Sequence, residues 1–148
     1  MVKVDYDDLE LAFYFVSSNG PSAGNAYISL DIGKIHWVSD LIDAEEEEVP
    51  ADVETSDRYV SVPHKNELDL GRFLVTRFVR QALPDCEKEV DAIFRRRGAY
   101  GRYKEFLDSR GKLEQWYRFE EDARAEALRE WCLEKGIEVV KTPRKTNE

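Results

Sequence analysis

The chain has 148 residues, 42% of them hydrophobic and 36% charged, and carries a formal net charge of −9. That length suits one domain with a buried core, and no apolar run approaches a bilayer span, so the pattern excludes a membrane-spanning helical protein. The acids crowd toward the start: residues 1–60 hold fourteen acids against three bases, and the rest holds seventeen acids against nineteen bases.

The opening MVKVDYDDLELAFYFVSS has no basic lead and no small-residue cleavage pattern, so no signal peptide is expected. Asp5 reads as an N-cap followed by acids in a first helical turn. Leu9, Ala12, Phe13 and Val16 then recur at helical spacing, which predicts a helix over 6–18. Ser-Asn-Gly-Pro-Ser-Ala-Gly, residues 18–24, ends it with dense turn chemistry.

NAYISLDIGKIHWVSD reads as a β-hairpin around Asp31-Ile32-Gly33, with Gly33 in the left-handed conformation of a three-residue loop. Alternation places Ile28 and Leu30 on one face near Ile35 and Trp37, and Tyr27 and His36 on the other. Arg58–Pro63 predicts a third short strand, stopped by Pro63. The connection over residues 40–57 has nine acids and no base, and reads as a long, mobile, acidic loop.

From residue 65 the apolar period becomes helical. Leu70, Phe73, Leu74, Phe78 and Val79 predict a helix over about 66–82, broken by Leu83-Pro84-Asp85. Val90, Ile93 and Phe94 mark the next, stopped near Gly98, and Tyr100, Tyr103, Phe106 and Leu107 mark another, stopped by Gly111. A long helix follows over about 112–135, its stripe in or near Leu113, Trp116, Tyr117, Ala123, Ala127, Leu128 and Trp131, with Gly136 as its C-cap. The fold expected is α+β: an N-terminal helix, a small three-stranded antiparallel meander, then a four-helix C-terminal part. It would be a single globular domain over 1–140, with a frayed tail over 141–148.

Several segments carry a resemblance. DRYVSVPHKNELDLGRFLVTRF, IFRRRGAYGRYKEFL and WYRFEEDARAEALREWC, with the hairpin AYISLDIGKIHWVSD, resemble uncharacterised bacterial protein family number 0158. FRRRGAY and the WYxFE segment are the most specific pieces. The resemblance covers nearly the whole chain and implies a small bacterial cytosolic protein. It brings no established activity and therefore no catalytic residues.

The feature that asks for a role is RRRGAYGRYK, residues 95–104, with five positive charges and no acid inside an acidic protein. Arg95, Arg96 and Arg97 fall in the expected last turn of a helix, where cations oppose the helix dipole favourably. A binding reading has Arg95, Arg96, Arg97, Arg102 and Lys104 on RNA or DNA phosphates, with Tyr100 stacking on a base. A structural reading puts Tyr100 and Tyr103 in the core and pairs the arginines with Glu89, Asp91 or the acidic loop. Tyr27, His36 and Tyr59 offer a second aromatic face on the sheet, which helices are expected to cover.

Metal and enzyme signatures are weak. His36, His64, Cys86 and Cys132 lack zinc-ligand spacing, and Glu120, Glu121 and Asp122 splay around a helix, so no metal and no cofactor are expected. The two cysteines read as incidental thiols of a cytosolic protein. Glu114–Arg118 and Glu120–Arg124 have the i,i+4 spacing of surface ion pairs. GxSxG, P-loop, GxGxxG and HExxH patterns are absent, so no catalytic residue is assigned. The leading expectation is a cytoplasmic, non-enzymatic binding or regulatory module using the basic junction. The alternatives are a protein–protein adaptor docking its acidic loop on a basic partner, and a hydrolase with a site near His36 or His64.

Overall fold

The structure is a computed structural model that describes residues 1–18, 24–39 and 49–141. The expected turn over 18–24, the first half of the acidic loop and the tail fall wholly or mostly outside the described residues. Among the described residues, five α-helices, a three-stranded antiparallel sheet and a parallel strand pair make a mixed α+β fold, with four of the helices in the C-terminal part. The chain divides into two compact units, one of residues 1–68 and 128–148, the other of 69–127.

The first unit opens with β1 (Val2–Asp5), which passes straight into α1 (Tyr6–Ser17). Asp5 caps the helix as the sequence suggested, its carboxylate accepting the Asp8 N–H at 3.2 Å. Leu9, Ala12, Phe13 and Val16 are buried, and α1 packs against the hairpin of β2 (Asn25–Ser29) and β3 (Ile35–Val38). Phe15 meets Trp37 edge-on at 4.9 Å. Each fully buried aliphatic or aromatic side chain here contributes about 1.5–3 kcal/mol.

Pairs Ala26–Trp37, Tyr27–His36 and Ile28–Ile35 give the faces expected from alternation. The loop is held by Ser29, whose hydroxyl accepts from the N–H groups of Asp31 and Ile32, each at 3.3 Å. Gly33 has φ +76, and a side chain there would overlap the Lys3 carbonyl oxygen of β1. β4 (Tyr59–Ser61) is antiparallel as expected, but it adds to β2, giving the order β3-β2-β4. In a strict meander it would have added to β3. Residues 49–57 of the acidic connection form turns closed by backbone hydrogen bonds and anchored by buried Val53.

Two strands went unread in the sequence. β1 pairs in parallel with β5 (Ile137–Val140), in register from Val2–Ile137 to Asp5–Val140. Ile137 and Val4 are buried by this closure. β5 directly follows Gly136, which caps the long helix α5 (Leu113–Glu134) with φ +75, as expected. The last turns of α5 add buried Leu128, Trp131 and Cys132 to this unit. Burial pushes the Cys132 thiol from 9.0 up to about 11, so it stays protonated and unreactive at neutral pH.

The second unit is helical: α2 (Arg72–Ala82), α3 (Glu87–Ile93), α4 (Ala99–Ser109) and the first part of α5. Residues 65–68 form a separate 3₁₀ turn of the first unit, so the helix expected over 66–82 begins only at Arg72, after Asp69 at φ +56. Leu74, Val75, Phe78, Val79, Val90, Tyr103, Leu107 and Trp116 form its core. Phe73, expected in the apolar stripe, is 57% exposed, because the buried pairs 74/78 and 75/79 centre the stripe elsewhere. Tyr117, another expected stripe residue, is 44% exposed, one position past buried Trp116.

Candidate nucleic-acid interface

Between α3 and α4 the chain makes a short turn, and the basic segment is that turn plus the start of α4. α3 ends at Ile93, so Arg95, Arg96 and Arg97 lie beyond its last turn rather than within it. The backbone N–H groups of Arg95 and Arg96 close i→i−3 bonds to Ala92 and Ile93, at 3.3 and 3.5 Å. Gly98 then takes a left-handed conformation, φ +72, and serves as the N-cap of α4 without a side-chain cap. Three arginine side chains in succession are thereby set on the surface, and all three are exposed.

Two of the acids that the structural reading offered them, Asp91 and Glu89, are already engaged. Asp91 accepts Arg72 Nη2 at 2.7 Å, Glu89 accepts Arg110 Nη2 at 3.3 Å, and Glu87 accepts Arg80 Nε at 3.0 Å. Every acid on α3 is thus matched with an arginine from elsewhere in the unit. Among the described residues, no ion pair or side-chain hydrogen bond reaches Arg95, Arg96 or Arg97. Exposed ion pairs are each worth about 0–1 kcal/mol, so this pattern bears on charge distribution more than on stability.

The remaining residues of the segment separate into different roles. Arg102 turns back to donate from Nη2 to the Ile93 carbonyl at 3.3 Å, closing the end of α3 as a cation at a helix C-terminus does. Lys104 Nζ lies 5.6 Å from the centre of the Tyr117 ring. At 3.6 residues per turn, Arg102 and Lys104 stand about 200° apart around α4. The five cations therefore do not form one face: Arg95–Arg97 are successive exposed residues of the turn, Arg102 folds back onto the junction itself, and Lys104 stands on another side of α4.

The tyrosines divide as well. Tyr103 is fully buried, with its ring 5.1 Å from Trp116 and 5.5 Å from Phe94. Tyr100 is 39% exposed and meets Phe94 edge-on at 5.0 Å, while the Arg72 guanidinium covers Phe94 at 4.2 Å. Burial raises the hydroxyl pKa of both. For Tyr103, Glu120 adds to that rise and Arg72 opposes it; for Tyr100, Arg72 opposes it before Glu120 adds to it. Both hydroxyls stay protonated near neutrality. The Tyr103 hydroxyl and the Trp116 indole N–H are buried with no hydrogen-bond partner among the described residues.

Sequence reading missed Arg72, Phe94 and Glu120 as neighbours of the segment. Glu120 is half-buried, whereas Glu121 and Asp122 are exposed, and nothing in a run of three acids marks the first as different. The expected pairs Glu114–Arg118 and Glu120–Arg124 do not form, since neither glutamate has an ion pair among the described residues.

The other candidate sites support structural roles. Tyr27, His36 and Tyr59 do share one face of the sheet, and the His36 and Tyr59 rings lie 5.9 Å apart. His36 is buried there, which removes the open platform that base stacking needs. His64 accepts the Asn66 N–H at Nδ1, 3.0 Å, and its own N–H donates to Glu67, so it shapes the 3₁₀ turn. Among the described residues, no three His, Cys, Asp or Glu side chains cluster as metal ligands would. No helix among them is long and apolar enough to cross a membrane.

No curated protein and no solved structure matches the chain. A family model does match, over residues 12–143, in agreement with the resemblance carried by the FRRRGAY and WYxFE segments. The chain belongs to the Uncharacterised protein family (UPF0158).

Proposed function

We propose that this protein is a non-enzymatic binding or regulatory module that holds single-stranded RNA or DNA at the α3–α4 junction. Arg95, Arg96 and Arg97 contact successive phosphates, and Tyr100 supplies the stacking surface for an unpaired base. The observation that carries the reading is the set of three adjacent exposed arginines without acidic partners among the described residues, in a unit where every α3 acid is engaged. Guanidinium groups bind phosphate bidentately, and an aromatic ring stacks on any base once the strand is open. Arg102 acts by fixing the junction, and Lys104 contributes charge at a distance.

The charge balance sets the expected behaviour. The unit of residues 69–127 has thirteen bases and twelve acids, so attraction is local and a long duplex gains little from the protein's overall field. Three phosphate contacts to a single strand predict a log–log salt slope of about −2.

Fluorescence anisotropy with short single-stranded RNA, single-stranded DNA and duplex DNA, each at low and near-physiological salt, tests this. The single strands should bind, weaken with salt and lose binding in an Arg95→Ala/Arg96→Ala/Arg97→Ala variant. Those side chains are exposed, so the variant should keep its stability within about 0.5 kcal/mol. Absence of binding at low salt would overturn the reading and turn the search to protein partners.

A further inference from the structure

α2 carries a cationic, aromatic face next to the arginine triad. Between Asp69 and Asp85 the chain has three bases, Arg72, Arg77 and Arg80, and no acid. Leu74, Val75, Phe78 and Val79 take the buried side of α2. At 3.6 residues per turn, Phe73, Arg77 and Arg80 fall within about 60° of one another on the opposite side. Phe73 is 57% exposed there, and no ring contact reaches it among the described residues. Arg80 is held by Glu87 at 3.0 Å, whereas Arg77 has no acidic partner among the described residues and lies 5.6 Å from the Phe119 ring. The Arg72 guanidinium covers the Phe94 ring at 4.2 Å and donates to Asp91 at 2.7 Å. Arg72 directly precedes Phe73, and Phe94 directly precedes Arg95, so the start of α2 stands beside the start of the arginine run.

Resting on the single-strand reading above, we infer that the strand held by Arg95–Arg97 continues over α2, where Phe73 stacks on a further unpaired base and Arg77 meets a further phosphate. An exposed ring buries little surface of its own, so it adds little to folding. Set among guanidinium groups with no acid on the same helix, it has the composition of a single-strand platform, in which rings take bases and cations take phosphates. The preference for an open strand follows from the ring. Bases in a duplex are stacked on one another, and only an unpaired base offers a face to Phe73. The contact is blind to sequence, because every base has such a face.

The test compares dodecamers of uridine and of thymidine with inorganic polyphosphate, which carries the charge of a strand but no bases. All are titrated at low salt by isothermal calorimetry. Phe73→Ala should weaken dodecamer binding about tenfold, the usual loss of one stacked base, and leave polyphosphate binding unchanged. Phe73→Leu keeps apolar bulk without a ring and should lose as much, whereas Phe73→Trp should bind at least as well as the natural protein. Arg77→Ala should weaken dodecamers and polyphosphate alike. Dodecamer binding that needs Arg95–Arg97 but survives Phe73→Ala, or a loss of polyphosphate binding equal to that of the dodecamers, would overturn this inference alone. A dimer in sedimentation equilibrium that Phe73→Ala dissociates would overturn it too, by giving the face to a second copy of the chain. No binding of either dodecamer by the natural protein would overturn the single-strand reading as well.

Discussion

The two units solve the same problem by different means. The unit of residues 69–127 is one continuous stretch of helices, closed around an aromatic cluster in which the Trp116 ring lies 5.3 Å from Phe78 and 5.1 Å from Tyr103. The other unit draws on both ends of the chain, and its closure depends on β1 finding β5 in parallel across more than a hundred residues. Local contacts assemble the first kind of unit, whereas the second must meet a loop-closure cost before any pairing is gained. The comparison also separates charge: outside residues 69–127 the chain has nine bases and nineteen acids, so the exposed arginine triad belongs to the nearly neutral unit.

The largest expected effect sharpens the account of the helical core. Phe78→Ala removes a fully buried ring that touches Trp116 and Phe119, and should cost about 3–5 kcal/mol in urea unfolding. Phe73→Ala, on the same helix but exposed, should stay within about 0.5 kcal/mol. Similar losses at both positions would mean that α2 buries a different face.

A second pair of substitutions compares the units directly, at two glycines of nearly equal φ. Gly33→Ala sets a methyl group against the Lys3 carbonyl of β1 in addition to the left-handed penalty, and should cost more than about 2 kcal/mol. Gly98→Ala meets only the flexible end of Arg102, at 3.4 Å, so about 1 kcal/mol is expected. Equal costs would break the claim that the hairpin loop is seated against β1.

The smallest effect is a gain. Tyr103→Phe removes a buried hydroxyl that has no partner, and should stabilise the protein by about 1 kcal/mol at neutral pH. The sign extends to alkaline pH. Tyr103 holds its proton more tightly folded than unfolded, so its ionisation contributes stability that is intact below pH 10.0 and declines above it. Phenylalanine has no such loss, so the advantage of the variant should widen above pH 10.0 in thermal unfolding. A destabilised Tyr103→Phe protein would show that the hydroxyl has a partner in solution.

Periodicity made much of this protein legible. The α1 cap at Asp5, the hairpin with Gly33 at its turn, the stop at Pro84 and the left-handed glycines at 98 and 136 are local matters of backbone preference, which a sequence states directly. The family, too, was readable from FRRRGAY and WYxFE. What the tertiary structure decided is everything that depends on who stands next to whom. VKVD and IEVV are too short to announce themselves as strands until each supplies the other's hydrogen bonds. RRRGAYGRYK looks like one basic surface in the sequence, yet packing sends Tyr103 inward, ties Arg102 to Ile93 and leaves Arg95–Arg97 exposed. Their lack of a partner on α3 follows from Arg72, Arg80 and Arg110 having taken its acids, because ion pairing is settled by distance in space and not by spacing along the chain.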